Sequence, residues 1–434
     1  MKESNLKTII ITALGATVEW FEFSIFGYLA TYLSVLFFPE KSGYTALISI
    51  FGIFAASYFT RPFGGFVLAS IGDRLGRRYA LTLSIGLMCI PMLIMTIIPT
   101  YNVIGWWSVA ILIFARMIQG FSIGGEYTGV LVIIAESAPY RFRGFFTSLA
   151  SMTSQFGIIL SAVVVGILTT IFTEAQMLDF GWRIAFLIGL LLGVISLFLQ
   201  HSITESPLFV KVKKKRKTLE HPLLSALKGP KMPFLWVFIL TSNAGIAYYM
   251  LITFLPNNLI VARHIDINTV MWITVLTSLI YAFVSPLFGW FSDLWGRKIM
   301  LYIPIILLLI VAYPIFFWFN NGTIIQIFFA GTIFAILIAA ITASFQIIIC
   351  ELFPTEYRYS AVSIAYNSGS ALFVGTTPMI SLLLIDIFQS SFAPCYYLII
   401  TSIITLLTIW KMPETNKSCR VKENLILRAH PQGI

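Results

Sequence analysis

The chain is 434 residues long, 58% hydrophobic and only 11% charged, with a mean hydropathy of +0.91 and a formal net charge of +10. A soluble domain carries about 25% charged residues, so this much apolar surface excludes a water-soluble globule. The positive balance then reads first as a membrane-topology signal. A nucleic-acid partner is disfavoured, because no folded domain accompanies the basic run Lys213-Lys214-Lys215-Arg216-Lys217.

A helix that crosses the bilayer needs about 20 apolar residues. Twelve runs qualify, at roughly 8–38, 45–72, 79–99, 104–135, 145–172, 182–200, 234–261, 269–292, 299–319, 323–350, 360–387 and 392–410. Their connections are short, as antiparallel neighbours require. The first run follows Met1-Lys2-Glu3-Ser4-Asn5-Leu6-Lys7, a start that invites reading as a signal peptide. Its length, its Glu19 and Glu22, and the lack of a small-residue cleavage site point instead to a retained first helix.

After the second run comes the charged turn Asp73-Arg74-Leu75-Gly76-Arg77-Arg78. It returns after the eighth run as Asp293-Leu294-Trp295-Gly296-Arg297-Lys298, displaced by 220 residues. A second motif, E-x-x-P-x-x-x-R, ends the fourth run as Glu136, Pro139 and Arg143. It ends the tenth as Glu351, Pro354 and Arg358, displaced by 215. Two motifs with nearly equal offsets indicate an internal duplication. The expected division is an N-terminal bundle at 1–200, a basic linker at 201–232, a C-terminal bundle at 233–411 and a short tail at 412–434. A solute site is then expected near the midplane between the halves. Gly76 and Gly296 permit the tight turns. Asp73 and Asp293 can accept hydrogen bonds from a neighbouring helix N-terminus or pair with a nearby arginine. The turns, with Glu136, Arg143, Glu351 and Arg358, are expected to latch one side shut, while Arg77, Arg78, Arg297 and Lys298 anchor the topology.

Orientation follows from the lysines and arginines. With the N-terminus in the cytoplasm, all of them fall on that side except Lys41, Arg183 and Arg263, which face outward, and Arg61 and Arg116, which lie within helices. Both termini are therefore expected to be cytoplasmic, with the 213–217 run against anionic lipid. Cys89, Cys350, Cys395 and Cys419 are isolated, so neither a metal site nor a disulfide framework is expected. Asn321-Gly322-Thr323 matches a glycosylation triplet but sits almost at a helix end. There is no nucleophile constellation, phosphate loop or metal spacing, so no enzyme and no cofactor are expected.

Ionisable groups at membrane depth cost several kcal/mol unless paired or wetted, which makes each a functional candidate. Glu19 and Glu22 lie on the first run, Arg61 on the second, and Arg116 and Glu126 on the fourth. At about 1.5 Å rise per residue, Glu19, Arg61 and Glu126 lie roughly 15–18 Å from the cytoplasmic end, with Glu22 and Arg116 higher. Crowded carboxylates in a poorly solvated space hold protons tightly, and a nearby guanidinium loosens them. Glu126 is the leading candidate proton carrier, with Glu19 or Glu22 second and Arg116 and Arg61 as switching partners. The bland alternative is a permanently paired network that only fixes helix packing. Gly120, Gly124, Gly125 and Gly129 on the fourth run allow another helix backbone to approach closely. The second half holds polar and aromatic groups instead: Asn243, Tyr248, Tyr249, Tyr281, Gln346, Tyr366 and Asn367.

Several of these strings carry a family resemblance over essentially the whole length. They are Glu19-Trp20-Phe21-Glu22-Phe23, Arg61-Pro62-Phe63-Gly64-Gly65, the run from Arg116 to Glu126, Gly181-Trp182-Arg183, Glu205-Ser206-Pro207, Glu351-Leu352-Phe353-Pro354 and Pro413-Glu414-Thr415. The chain resembles the major facilitator superfamily, specifically the metabolite:proton symporters that include proline/betaine, α-ketoglutarate, citrate and shikimate carriers. The 116–126 string is the most specific to that family; the repeated turn marks only the superfamily. The chain departs from the family where Ala16 replaces the usual Asn, Glu22 an Asp, Ala69 a Gly and Ala185 a Pro.

The resemblance implies an all-α membrane protein whose twelve transmembrane helices form two pseudo-symmetric six-helix bundles, with helices 1, 4, 7 and 10 lining a cavity. It also implies a bacterial inner-membrane location, function as a monomer, and proton-coupled uptake of a small polar metabolite by alternating access. A zwitterion such as proline or betaine is favoured. Tyrosine faces attract quaternary ammonium groups, and Arg116 or Arg61 can take a carboxylate in a forked pair. The candidate binding residues are Arg116, Tyr248, Tyr249, Asn243, Gln346, Tyr366 and Asn367. An organic acid is the alternative cargo. Drug:proton exporters of the superfamily usually carry Gly-Pro in helix 5, whereas 144–172 contains no proline. Solute sensors tend to carry signalling extensions, and the tail after the last helix is short. It also shows no heptads, unlike the coiled coil that osmosensing carriers often have.

Overall fold

The computed structural model describes residues 3–41, 43–200, 205, 210 and 229–416, and the described residues form helices with no strand. The Lys213–Lys217 run, Cys419, and most of the expected linker and tail lie outside the described residues. Among the described residues eleven helices are long and apolar enough to cross a membrane, and a bent pair makes a twelfth. In chain order the spans are α1 (Glu3–Tyr28), α2 (Gly43–Arg74), α3 (Arg77–Ile97), α4 (Trp106–Ser137), α5 (Arg143–Ile171), α6 (Trp182–Gln200), α7 (Lys231–Arg263), α8 (Ile267–Trp295), α9 (Ile299–Asn321), α10 (Ile324–Glu351), α11 (Arg358–Phe388) and α12 (Ala393–Lys411).

The expected runs agree with these helices except at the first. There the chain breaks at Leu29, and Ala30–Phe37 continues at 58° to α1. In the second half α7 loosens into a π turn over Met250–Phe254, and α11 does so over Ser370–Val374. The glycosylation triplet is used up in a helix junction: Gly322 ends α9, and Thr323 caps α10 in a reciprocal box with Gln326.

α3 shows why the chain needs lipid on its outside. Leu81, Ser84, Ile85, Met88, Met92 and Met95 form one buried stripe, yet Leu83, Ile90, Leu93 and Ile97 on the other side are exposed and equally apolar. A helix apolar all round is buried in protein on one side and in bilayer on the other.

Small residues set the closest crossings. A Cβ on Gly120 would collide with the Ser57 carbonyl of α2, one on Gly124 with the Arg61 carbonyl, and one on Gly64 with the Phe121 carbonyl of α4. α2 and α4 therefore touch backbone to backbone, as small-residue spacing of four allows. Between the halves, α5 packs along α8 and α2 along α11, the same pairing reversed.

Candidate functional site

A cavity of about 50 Å³ lies between the halves, lined by Trp20, Tyr127, Ser151, Ser154, Thr241, Tyr248, Tyr249, Tyr281, Thr342, Phe345, Gln346 and Tyr366. One water needs about 10–15 Å³ by this measure, so the space suits a small solute. Its walls are aromatic. Trp20 stands edge-on to Tyr127 and Tyr248 at 5.7 and 5.5 Å, and Tyr127 lies 5.6 Å from Tyr366. Polar groups fix the rings: the Gln346 amide donates to the Tyr127 hydroxyl at 2.5 Å, and the Gln155 amide donates to Tyr248 at 3.1 Å. Among the described residues no charged side chain lines the cavity.

Of the residues expected to bind substrate, Tyr248, Tyr249, Gln346 and Tyr366 are at the cavity, and three are elsewhere. Asn243 donates to Ser402 at 3.0 Å, because a five-residue step from Tyr248 turns it towards α12. Asn367, one residue on from Tyr366, turns towards α4 and donates to the Gly124 carbonyl at 2.6 Å. Arg116 stands eleven residues from Tyr127, about 16 Å along α4. Trp20 and Tyr127 escaped the sequence reading. The signal was present, since each follows an acid at membrane depth and adjacent helical residues face about 100° apart.

The acids lie behind those rings, inside the first half. Glu19, Glu22 and Glu126 are 2%, 1% and 1% exposed, and Arg61 and Arg116 are 3% and 1%. Glu126 lies within electrostatic reach of Glu19 and Glu22, and Glu19 within that of Arg61. Glu22 points at α6, where a Cβ on Gly193 would meet its Oε1 at 2.7 Å. The expected carboxylate–guanidinium contacts are absent: among the described residues no nitrogen of Arg61 or Arg116 comes within 4.0 Å of these carboxylates. The guanidiniums rest on rings instead. Arg61 sits 3.7 Å from the Tyr58 ring centre and 4.7 Å from Phe23, and Arg116 sits 4.2 Å from Phe26 and 4.8 Å from Phe23. Arg116 also donates to Gln119, leaving its Nε and Nη2 unpartnered.

The repeated turns form two matching knots at one end of the molecule. Asp73 accepts from the Ser360 N–H and hydroxyl at 2.9 and 2.6 Å and pairs with Arg77 at 2.9 Å. Asp293 accepts from the Gly144 and Phe145 N–H groups, both at 2.9 Å, and pairs with Arg297 at 2.8 Å. Each aspartate thus caps the first turn of a helix in the other half, where the helix dipole favours negative charge. Glu136 lies 3.8 Å from Arg77 and 3.1 Å from Arg358, and Glu351 lies 3.3 Å from Arg297. Gly76 and Gly296 adopt φ of 137° and 108°, which a side chain would strain.

Symmetry fails at Arg143. It lies over the Tyr140 ring at 4.9 Å and makes no ion pair among the described residues, whereas its counterpart Arg358 crosses to Glu136. Two further carboxylates join the knots. Glu205 accepts from the N–H groups of Arg77 and Arg78, and Glu414 from those of Arg297 and Lys298. At the opposite end a cleft of about 490 Å³ opens between Tyr32, Phe172, Glu174, Ile260 and Asp266. Between α1 and α7 the Asn257 amide donates to the Gly27 carbonyl at 3.2 Å.

Family models match both halves: "Sugar (and other) transporter" over residues 8–233 and "Major Facilitator Superfamily" over 237–424. The chain is 34% identical to the proline/betaine transporter of Escherichia coli K12 over 94% of its own length and 83% of that protein's. It is equally similar, with the same coverage, to a glycine betaine/proline/ectoine/pipecolic acid transporter of Dickeya dadantii. An ectoine/proline transporter of Corynebacterium glutamicum is 32% identical over 94% of this chain and 83% of its own. Among solved structures, a proton:xylose symporter superposes with a TM-score of 0.78 at 18% identity, covering 95% of this chain and 96% of its own. A partially occluded inward-open xylose transporter from E. coli gives 0.77 at 17%, covering 95% and 99%. That degree of likeness speaks for the fold: two pseudo-symmetric six-helix bundles. The chain is a multi-pass membrane transporter rather than an enzyme, and it belongs to the major facilitator superfamily, among the metabolite:proton symporters related to the proline/betaine carriers.

Proposed function

We propose that this transporter takes up a small zwitterionic osmolyte of the proline or glycine betaine type together with protons, by alternating access. The observation that carries the reading is the small cavity walled by Trp20, Tyr127, Tyr248, Tyr249 and Tyr366, with buried acids directly behind Trp20 and Tyr127. Aromatic faces attract a quaternary or secondary ammonium, and the Gln346 amide with the Tyr281 and Thr342 hydroxyls serves the carboxylate. A cavity of about 50 Å³ is far below the ~300–1,000 Å³ of drug-sized pockets, which disfavours an exporter of large apolar compounds. Absence of a lining cation disfavours a multiply charged organic acid.

In this reading Glu126 is the leading proton carrier and Glu19 and Glu22 its neighbours. The Asp73 and Asp293 knots are the cytoplasmic gate, closed in this conformation. The bundles are residues 1–200 and 233–411, joined through a basic cytoplasmic linker at 201–232 and followed by a cytoplasmic tail. The protein works as a monomer in the bacterial inner membrane.

Uptake into proteoliposomes from a panel of zwitterions and carboxylates, with and without an imposed pH gradient, tests this directly. Accumulation of glycine betaine or proline should require the gradient. Glu126→Gln should abolish gradient-driven accumulation while sparing counterflow. Intact accumulation in that variant would remove Glu126 from the mechanism.

A further inference from the structure

Asn367 lies outside the cavity lining, and its amide is engaged with α4. It lies on an edge of α11 with Tyr359 and Ser363, and all three are fully or almost fully buried. The Tyr359 hydroxyl donates to the Gly125 carbonyl at 2.5 Å, the Ser363 hydroxyl to the Gly124 carbonyl at 3.0 Å, and the Asn367 amide to the same Gly124 carbonyl at 2.6 Å. Asn367 also donates to Ser363 at 3.0 Å, so the row is internally braced. These acceptors are the peptide groups immediately before Glu126. They are reachable because α2 contributes a glycine at the same point: a Cβ on Gly65 would collide with Ser363 and meet the Asn367 amide at 2.8 Å. α2 and α4 from the first half and α11 from the second thus meet in a buried junction. The row runs along α11 from the level of the Asp73–Ser360 knot, Tyr359 being the neighbour of Ser360, to the peptide groups beside Glu126.

We infer that Tyr359, Ser363 and Asn367 form the seal that separates Glu126 from cytoplasmic water, and that breaking this row is the step that lets Glu126 release its proton. The groups around Glu126 fit that role. Glu19, Glu22 and the Tyr359 hydroxyl lie within its electrostatic reach. Among the described residues no cation comes within 4.0 Å of Glu126, so water reaching it would be the new partner for its charged form. Because the row belongs to α11 of the opposite half, Glu126 cannot be wetted from that side until the halves part. These are positioning residues acting through Glu126, and the proton-release half of the argument rests on the symport reading above.

The test uses the full-length protein with Ser363→Ala, Asn367→Ala and the pair. Gly124 and Gly125 sit inside a continuous helix, so removing the α11 donors orphans no carbonyl and folding is preserved. Amide hydrogen exchange over residues 124–132 should speed up at least tenfold in the pair, and in the same direction but less in Ser363→Ala alone, with α10 unchanged. In proteoliposomes the pair should leak an imposed pH gradient without solute and lose about tenfold of gradient-driven [14C]glycine betaine accumulation, while counterflow stays near wild type. Unchanged exchange, or accumulation and counterflow falling together, overturns the inference. If the wild type shows no gradient-driven uptake, the symport reading fails, and the exchange measurement alone still decides whether the row is a seal.

Discussion

Glu205 and Glu414 hold equivalent stations 209 residues apart, Glu205 laying its carboxylate across the first two N–H groups of α3 and Glu414 across the two N–H groups just before α9. Glu205 receives Arg77 and Arg78 at 3.1 and 3.4 Å, and Glu414 receives Arg297 and Lys298 at 3.0 Å each. Both follow the last helix of a half and return to the start of that half's third. The duplicated turn is therefore held from two directions, by an aspartate within the turn and by a glutamate arriving from the end of the bundle.

A carboxylate on a helix N-terminus stabilises it by about 1 kcal/mol. Glu205→Ala and Glu414→Ala should each lower the thermal unfolding temperature of the detergent-purified protein by a few degrees and leave transport within about twofold of wild type. Thermal-shift fluorescence checks it; an unmoved midpoint in both variants contradicts the capping role.

Asp73→Asn and Asp293→Asn remove the partner of a buried guanidinium, an unpairing that costs about 3–5 kcal/mol when no other anion compensates. Compensation is unequal, since Glu351 lies 3.3 Å from Arg297 but Glu136 lies 3.8 Å from Arg77. Asp73→Asn should be the more damaging, with transport down at least tenfold. Side-by-side uptake rates at matched expression decide the order.

Gly124→Ala should prevent normal assembly, because the added methyl collides with the Arg61 carbonyl and overpacking of this kind costs about 1–3 kcal/mol. Gly166→Ala is the control, as its nearest new neighbour would be Met271 at 3.9 Å. Membrane yield and gel-filtration profile should separate the two variants.

Trp20→Leu removes the broadest face of the cage. Losing a cation–π contact of about 1–2 kcal/mol should raise the KM for glycine betaine roughly 5–30-fold. Asn243→Ala should lower thermal stability and leave KM alone, since its amide serves the Ser402 and Thr401 hydroxyls of α12. A KM effect in Asn243→Ala would return that residue to the cavity.

The spans were readable because bilayer thickness dictates run length, and the acids were readable because charge in such a run is costly. The cavity was not. With aromatic residues at 15% of the chain, nothing local separates Tyr248, which lines the cavity, from Tyr58, which carries Arg61. Which face a ring takes is settled by the partner helix. The placement of Asn243 and Asn367 away from the cavity was hidden for the same reason, as an amide in a membrane helix serves a neighbouring helix as readily as a ligand. The break at Leu29 left no mark either, for Gly27-Tyr28-Leu29-Ala30 contains no proline.

That break has a counterpart. α1 stops at Tyr28, and α7 turns to π geometry at Met250, within a few residues of the displacement that relates the charged turns. Irregular joint and clasp thus recur together, one at each end of either half. Two such halves, set face to face, are levers whose fulcra and catches sit at opposite ends. The present chain has kept those mechanics in both arms while confining its membrane-depth acid layer to one.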